Sequence, residues 1–123
     1  MNRPISPHLS IYKVQITSAL SILHRISGII ALGGTLLFIW WFIGLIFSDL
    51  NQFYLSVWNY VIVKILAWGF SLNVFYHLCN GIRHVFWDMG LGFAIQTIHK
   101  TGLLTISMSV FLTAIFWLFL YIN

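Results

Sequence analysis

Residues 26–48 read ISGIIALGGTLLFIWWFIGLIFS, 23 positions with neither a charge nor a histidine. The hydrocarbon layer of a bilayer takes about 20 residues of α-helix to cross, so this stretch predicts a transmembrane helix. Two further runs are likewise uncharged. ILAWGFSLNVFYHLCNGI occupies 65–82, 18 residues flanked by Lys64 and Arg83, and TGLLTISMSVFLTAIFWLFLYIN occupies 101–123, again 23 residues. The middle run is short for a span. It reaches full length if Lys64 snorkels outward and the polar residues past Ile82 find protein partners. Phe111, Phe116, Trp117, Phe119 and Tyr121 crowd the far end of the third run, where an aromatic belt would sit. The expected fold is therefore an all-α membrane protein, three transmembrane helices in a bundle with spans at 20–48, 61–87 and 101–122. An outer loop at 49–60 and an inner loop at 88–100 join them. The first 19 residues are read as irregular, because Pro4 and Pro7 forbid a continuous helix there.

Composition points the same way. Of 123 residues, 60% are hydrophobic and only 7% charged, against about 25% charged in a soluble domain. So short a chain has too little interior to hide that much apolar surface from water. The formal charge of +4 comes from basic residues that never cluster, which argues against a nucleic-acid partner. Cys79 is the single cysteine, so no intrachain disulfide forms. No apolar core with a small-residue cleavage site follows the first basic residue, and arginine and serine are too sparse for a transit peptide. The expectation is a chain that needs no amino-terminal processing. Arg3, Lys13 and Arg25 precede the first uncharged run, and Arg83 and Lys100 lie between the second and third. Lys64 stands alone between the first and second, so five of the six basic residues share one side. The positive-inside rule then puts the amino terminus on the cytoplasmic or matrix side and the carboxyl terminus opposite.

Polar residues next to lipid are costly, and they mark where a protein has work to do. Ser21, His24, Arg25 and Gly28 stand at i, i+3, i+4 and i+7, one stripe of a helix. The plainer reading is an interfacial anchor, with Arg25 snorkelling to lipid phosphates. A second cluster surrounds His77. At about 100° per residue, Asn73, Asn80, Gly81, His84 and Asp88 all fall within about 60° of it, and Arg83 falls about 120° away. A histidine facing a helical bundle interior is a usual haem ligand. It equally serves to hydrogen-bond across helices. Gly81 leaves a notch where a flat ligand could approach the backbone. His8 and His99 lie outside the spans and His24 near one surface, so none is placed to oppose His77 on an iron. Either a second chain supplies that ligand or no haem is held. With antiparallel neighbours, His24 and Arg25 lie at a depth similar to His84. That makes a cationic pocket for a carboxylate or a quinone carbonyl.

RPISPHLSIYKVQITSALSILHRIS at 3–27 and HLCNGIRHVFWDMG at 77–90 resemble the two signatures of the cytochrome b-type membrane-anchor subunit of succinate dehydrogenase, respiratory complex II. The fixed positions are Arg3, Pro4, Ser21, His24, Arg25 and Ser27, then His77, Gly81, Arg83, His84, Asp88 and Gly90, and the two segments cover about a third of the chain. The resemblance implies that His77 is an axial ligand of haem b, with the other axial histidine on a second, smaller anchor subunit. It implies that Ser21 and Arg25 line the ubiquinone site, and that His24, Arg25 and His84 sit near the haem propionates. It implies partnership with an iron–sulfur subunit and a flavoprotein, which carry out the succinate chemistry of the tricarboxylic acid cycle. No dehydrogenase active site is expected in this chain alone. Its place would be the inner membrane of a bacterium or a mitochondrion. The rivals are a fumarate reductase anchor, a haem-free scaffold, and a small proton or ion pathway along His77, His84 and Asp88.

Overall fold

A computed structural model describes residues 16–47, 51–92 and 94–122, and these are helical save for short connections. Four helices follow in order, α1 (Ile16–Phe47), α2 (Asn51–Val57), α3 (Val61–Asp88) and α4 (Ile95–Ile122). Three of them, over Ser18–Phe47, Val61–Asp88 and Gln96–Ile122, are long and apolar enough to cross a membrane. At 32, 28 and 28 residues, and 1.5 Å of rise per residue, each exceeds the roughly 30 Å hydrocarbon layer by at least two turns. The excess explains why the helices overrun the uncharged stretches. Loss of apolar character ends the contact with lipid, whereas a helix ends where its backbone is broken. Thus α1 already includes residues 16–19, inside the segment read as irregular, a part of it that holds no proline. Similarly, α4 begins at Ile95, just after Gly92 with φ +84°, inside the stretch read as a loop. The other connecting segment contains the short α2, which the apolar pattern did not announce.

Burial is inverted relative to a water-soluble protein. Among described side chains, Leu20 is the only buried large hydrophobic residue, while Ser27, Asn80, Arg83, Thr105, Ser109 and Thr113 are buried. Apolar residues such as Ile29, Leu37, Phe47, Phe119 and Ile122 point outward. In water this arrangement would waste the hydrophobic effect; in hydrocarbon, outward apolar groups cost nothing and inward polar groups act as glue.

α3 is held on both sides. Towards α4, the buried stripe Gly102, Thr105, Ser109 and Thr113 presents only small side chains, which lets two backbones approach closely. The three hydroxyls return to carbonyls of their own helix, at 2.9, 2.8 and 2.7 Å, so none is left unpaired in an apolar setting. Trp117 Nε1 donates to Ser71 Oγ at 2.8 Å, and Trp58 stacks on the Trp117 ring. Towards α1, the ties run from α3 side chains to α1 carbonyls. Asn73 Nδ2 donates to Ser27 O at 3.0 Å, Tyr76 Oη to Leu20 O at 3.2 Å, and Asn80 Nδ2 to Leu20 O at 3.3 Å. Gly34 sits against Phe70, whose ring occupies the space a Cβ would fill.

Candidate functional site

The α1–α3 seam brings three imidazoles together. His24 stacks on His77 with centroids 4.3 Å apart and planes 11° from parallel, and on His84 at 5.0 Å and 30°. α3 sets His77 and His84 two turns apart on one face, and α1 inserts His24 between them. Sequence reasoning put His24 level with His84. The structure sets it between the two and nearer to His77. His24 borders the notch at Gly81, where a Cβ would stand in ordinary contact, 3.7 Å from His24 Cε1. Gly28 under His77 is tighter: a Cβ there would stand 3.1 Å from His77 Cε1.

Asn73 and Asn80, which share the polar face of α3, resolve as helix-to-helix ties rather than ligand contacts. The histidines differ from them. His77 makes one hydrogen bond among the described residues, between Nδ1 and Ser27 Oγ at 2.9 Å. His24 Nδ1 and His84 Nε2 are buried with no hydrogen-bond partner among the described residues. A buried polar atom without a partner costs about 1–3 kcal/mol, so two in one stack make this seam the candidate site. Among the described residues no three His, Cys, Asp or Glu side chains converge to hold a metal ion. The imidazoles are stacked, not convergent, which disfavours a chelated bare cation. Asp88, the last residue of α3, is exposed.

Ser21 and Arg25 lie on the side of α1 next to this seam. With Ser18, Ile22 and Trp87 they line an open cleft of about 390 Å³. Arg25 is exposed and Ser21 half-buried, so the one stripe read from the sequence separates into two. His24 and Gly28 turn to α3, while Ser21 and Arg25 border the cleft. Trp87 is the wall that sequence reasoning missed. It comes from α3, packs edge-on against His84 at 5.1 Å, and carries the Arg83 guanidinium 4.0 Å above its ring. Its position three residues after His84 was the available signal, since residues at i and i+3 are surface neighbours on a helix. His8 falls outside the described residues. His99 is exposed on α4.

Arg83 has a structural occupation. It is 6% exposed. Its Nε donates to Thr101 Oγ1 at 3.2 Å, Nη1 to Asn80 Oδ1 at 3.4 Å, and Nη2 to Ile98 O at 3.3 Å. One guanidinium thereby joins α3 to the first turns of α4, using the fixed fork that a lysine lacks.

Comparison with known sequences agrees with the motif reading. A sequence model of the family "Succinate dehydrogenase/Fumarate reductase transmembrane subunit" matches residues 1–116. The chain is 48% identical over 115 residues to a succinate dehydrogenase cytochrome b556 subunit of Rickettsia felis, covering 94% of this chain and 90% of that one. It is 38% identical over 130 residues to a succinate dehydrogenase cytochrome b560 subunit of Reclinomonas americana, covering 96% and 86%. To the cytochrome b556 subunit of Paracoccus denitrificans it is 32% identical over 120 residues, covering 93% and 88%.

Proposed function

The chain belongs to the family of succinate dehydrogenase/fumarate reductase transmembrane subunits, and from that premise we propose that it anchors a flavoprotein and an iron–sulfur subunit to the membrane, ligates haem b through His77, and forms part of a ubiquinone-reducing pocket through Ser21 and Arg25. In this reading the amino terminus faces the cytoplasm or matrix, and a second small anchor subunit completes the haem site.

The observation that carries it is the histidine stack with its unsatisfied nitrogens. His77 Nδ1 is engaged by Ser27 while its Nε2 has no hydrogen bond among the described residues, the pattern of a metal ligand oriented by a neighbour. His24 Nδ1 and His84 Nε2 are buried and unpaired among the described residues, suited to meeting the carboxylates that haem carries. The residues therefore fit the group. When bound, haem b supplies a one-electron redox centre, and the protein supplies position and field. A proton pathway finds less support, because rings stacked at 4.3 and 5.0 Å do not hydrogen-bond to one another.

The cleft serves a different task. Arg25 is a planar cation beside a hydroxyl, and a quinone oxygen becomes a stronger acceptor as it gains electrons. The contact therefore tightens along the reaction. Trp87 and Ile22 give the ring apolar walls, and Ser21 offers an O–H donor.

The test uses the assembled complex in membranes. His77→Leu should abolish or strongly perturb the b-type haem spectrum. Arg25→Lys and Ser21→Ala should each slow quinone reduction while dye-linked succinate oxidation by the soluble subunits persists. A wild-type spectrum in His77→Leu would remove the ligand assignment. Unchanged quinone kinetics in both cleft variants would remove the pocket.

A further inference from the structure

Ser27 has one proton and two contacts. Its Oγ lies 2.7 Å from the His24 carbonyl oxygen, three residues back along α1, and 2.9 Å from His77 Nδ1. A carbonyl oxygen only accepts, so the shorter contact takes the hydroxyl proton. The lengths agree with that division, since O–H···O bonds cluster near 2.7–2.8 Å and N–H···O bonds near 2.9–3.0 Å. The remaining contact must then be donated by the imidazole. That places the proton on Nδ1 and leaves Nε2 with its lone pair, because a neutral imidazole has one donor nitrogen and one acceptor. Ser27 is 3% exposed, so bulk water does not compete for either bond.

Two neighbours restrict the ring further. Gly28 leaves room for Cε1 where any Cβ would stand 3.1 Å away, and the parallel His24 ring covers one face. The hydroxyl thus acts on an imidazole whose plane is already confined. We propose that Ser27 is a positioning residue for His77. It fixes the Nδ1–H tautomer and the ring orientation, and so presents Nε2 as the donor atom to a metal-bearing planar cofactor. This deepens the assignment of His77 as haem ligand and rests on it.

An acceptor on Nδ1–H makes the opposite nitrogen a better electron donor to iron, favouring the oxidised metal. Loss of the acceptor should weaken metal binding by about 10–100-fold, the usual range for such outer partners, and move the haem midpoint potential upward. The experiment compares wild type, Ser27→Ala, Ser27→Thr and His77→Leu as assembled complexes in membranes. It reads haem loss to an excess of acceptor apoprotein, and the midpoint potential by redox titration. Ser27→Ala should lose haem about 10–100 times faster, with a more positive potential. Ser27→Thr, which keeps an oxygen able to bond the preceding turn, should restore both towards wild type. Wild-type values for Ser27→Ala would overturn the positioning role. So would a Ser27→Thr displaced as far as Ser27→Ala, or an alanine variant that fails to assemble, since packing would then be the cause. His77→Leu separates the two levels: haem retained there overturns the ligand assignment itself, whereas haem lost there with an unaltered Ser27→Ala overturns only the role of Ser27.

Discussion

Replacing Gly28 by alanine is a demanding perturbation, because one methyl group acts on one ring. The new Cβ would stand 3.1 Å from His77 Cε1, while carbon atoms rest at about 3.5–4.0 Å. The ring must therefore retreat by roughly 0.4–0.9 Å. Ser27 Oγ and His77 Nδ1 are now 2.9 Å apart. A retreat of that size takes them to the edge of hydrogen-bond range or past it. A lost hydrogen bond is worth about 0.5–1.5 kcal/mol, which at about 1.4 kcal/mol per decade is roughly a two- to twelve-fold weakening of cofactor retention. Gly33→Ala is the control, since nothing lies within 4 Å of a Cβ built there. By itself, alanine for glycine inside a helix is favourable by about 1 kcal/mol, so the control should be neutral or slightly stabilising. The assay is the haem-to-flavin ratio of purified complex and the rate of haem loss to an acceptor apoprotein. If Gly28→Ala and Gly33→Ala behave alike, the close packing of His77 on α1 does not matter, and the reasoning built on that ring fails.

Two further outcomes are expected. In a Cys79→Ser background, a cysteine at Lys100 should resist a membrane-impermeant reagent added from outside while one at Gln52 reacts, since five of the six basic residues mark the Lys100 side as internal; the reverse pattern refutes the orientation. Arg83→Leu should destabilise the α3–α4 pairing by about 1–3 kcal/mol, because it removes the donors to Thr101 Oγ1 and the Ile98 carbonyl on α4 and leaves the buried Asn80 Oδ1 without its Arg83 donor. Thermal inactivation of the assembled complex would show this as a lower midpoint temperature, and an unshifted midpoint would deny the tie.

The three spans were legible because runs of 18 to 23 uncharged residues have few uses other than crossing lipid. The family assignment was legible from two long motifs, and the matches to the family and its relatives bear it out. Arg83 was not. A single-helix projection placed it off the polar face of α3, and that projection has no means of knowing that α4 lies there with Thr101 and the Ile98 carbonyl. The small-residue stripe of α4 was readable in principle from its spacing, at 102, 105, 109 and 113. The place of His24 beside the Gly81 notch was not, since it depends on the relative depth of two helices, which no local pattern encodes.

Inside a membrane each polar atom has to be satisfied by protein, because hydrocarbon offers nothing. That requirement turns hydrogen-bond geometry into an argument about function. On α3, Asn73, Tyr76 and Asn80 donate to α1 carbonyls, and Arg83 donates to α4. These four explain themselves, and a helix pair of this kind would keep them with or without a cofactor. His24 Nδ1 and His84 Nε2, without a partner among the described residues, do not explain themselves, and they belong to the stack headed by His77, whose Nδ1 is engaged by Ser27. Random imperfection would scatter such orphans along 28 residues of α3 and 32 of α1. Instead they stand within one stack, about a helical turn from the Ser21–Arg25 cleft. Among the described residues the unsatisfied nitrogens are thus concentrated in one stack, where a group from outside the chain would complete the bonding, and that concentration favours the proposed cofactor site over a merely polar seam.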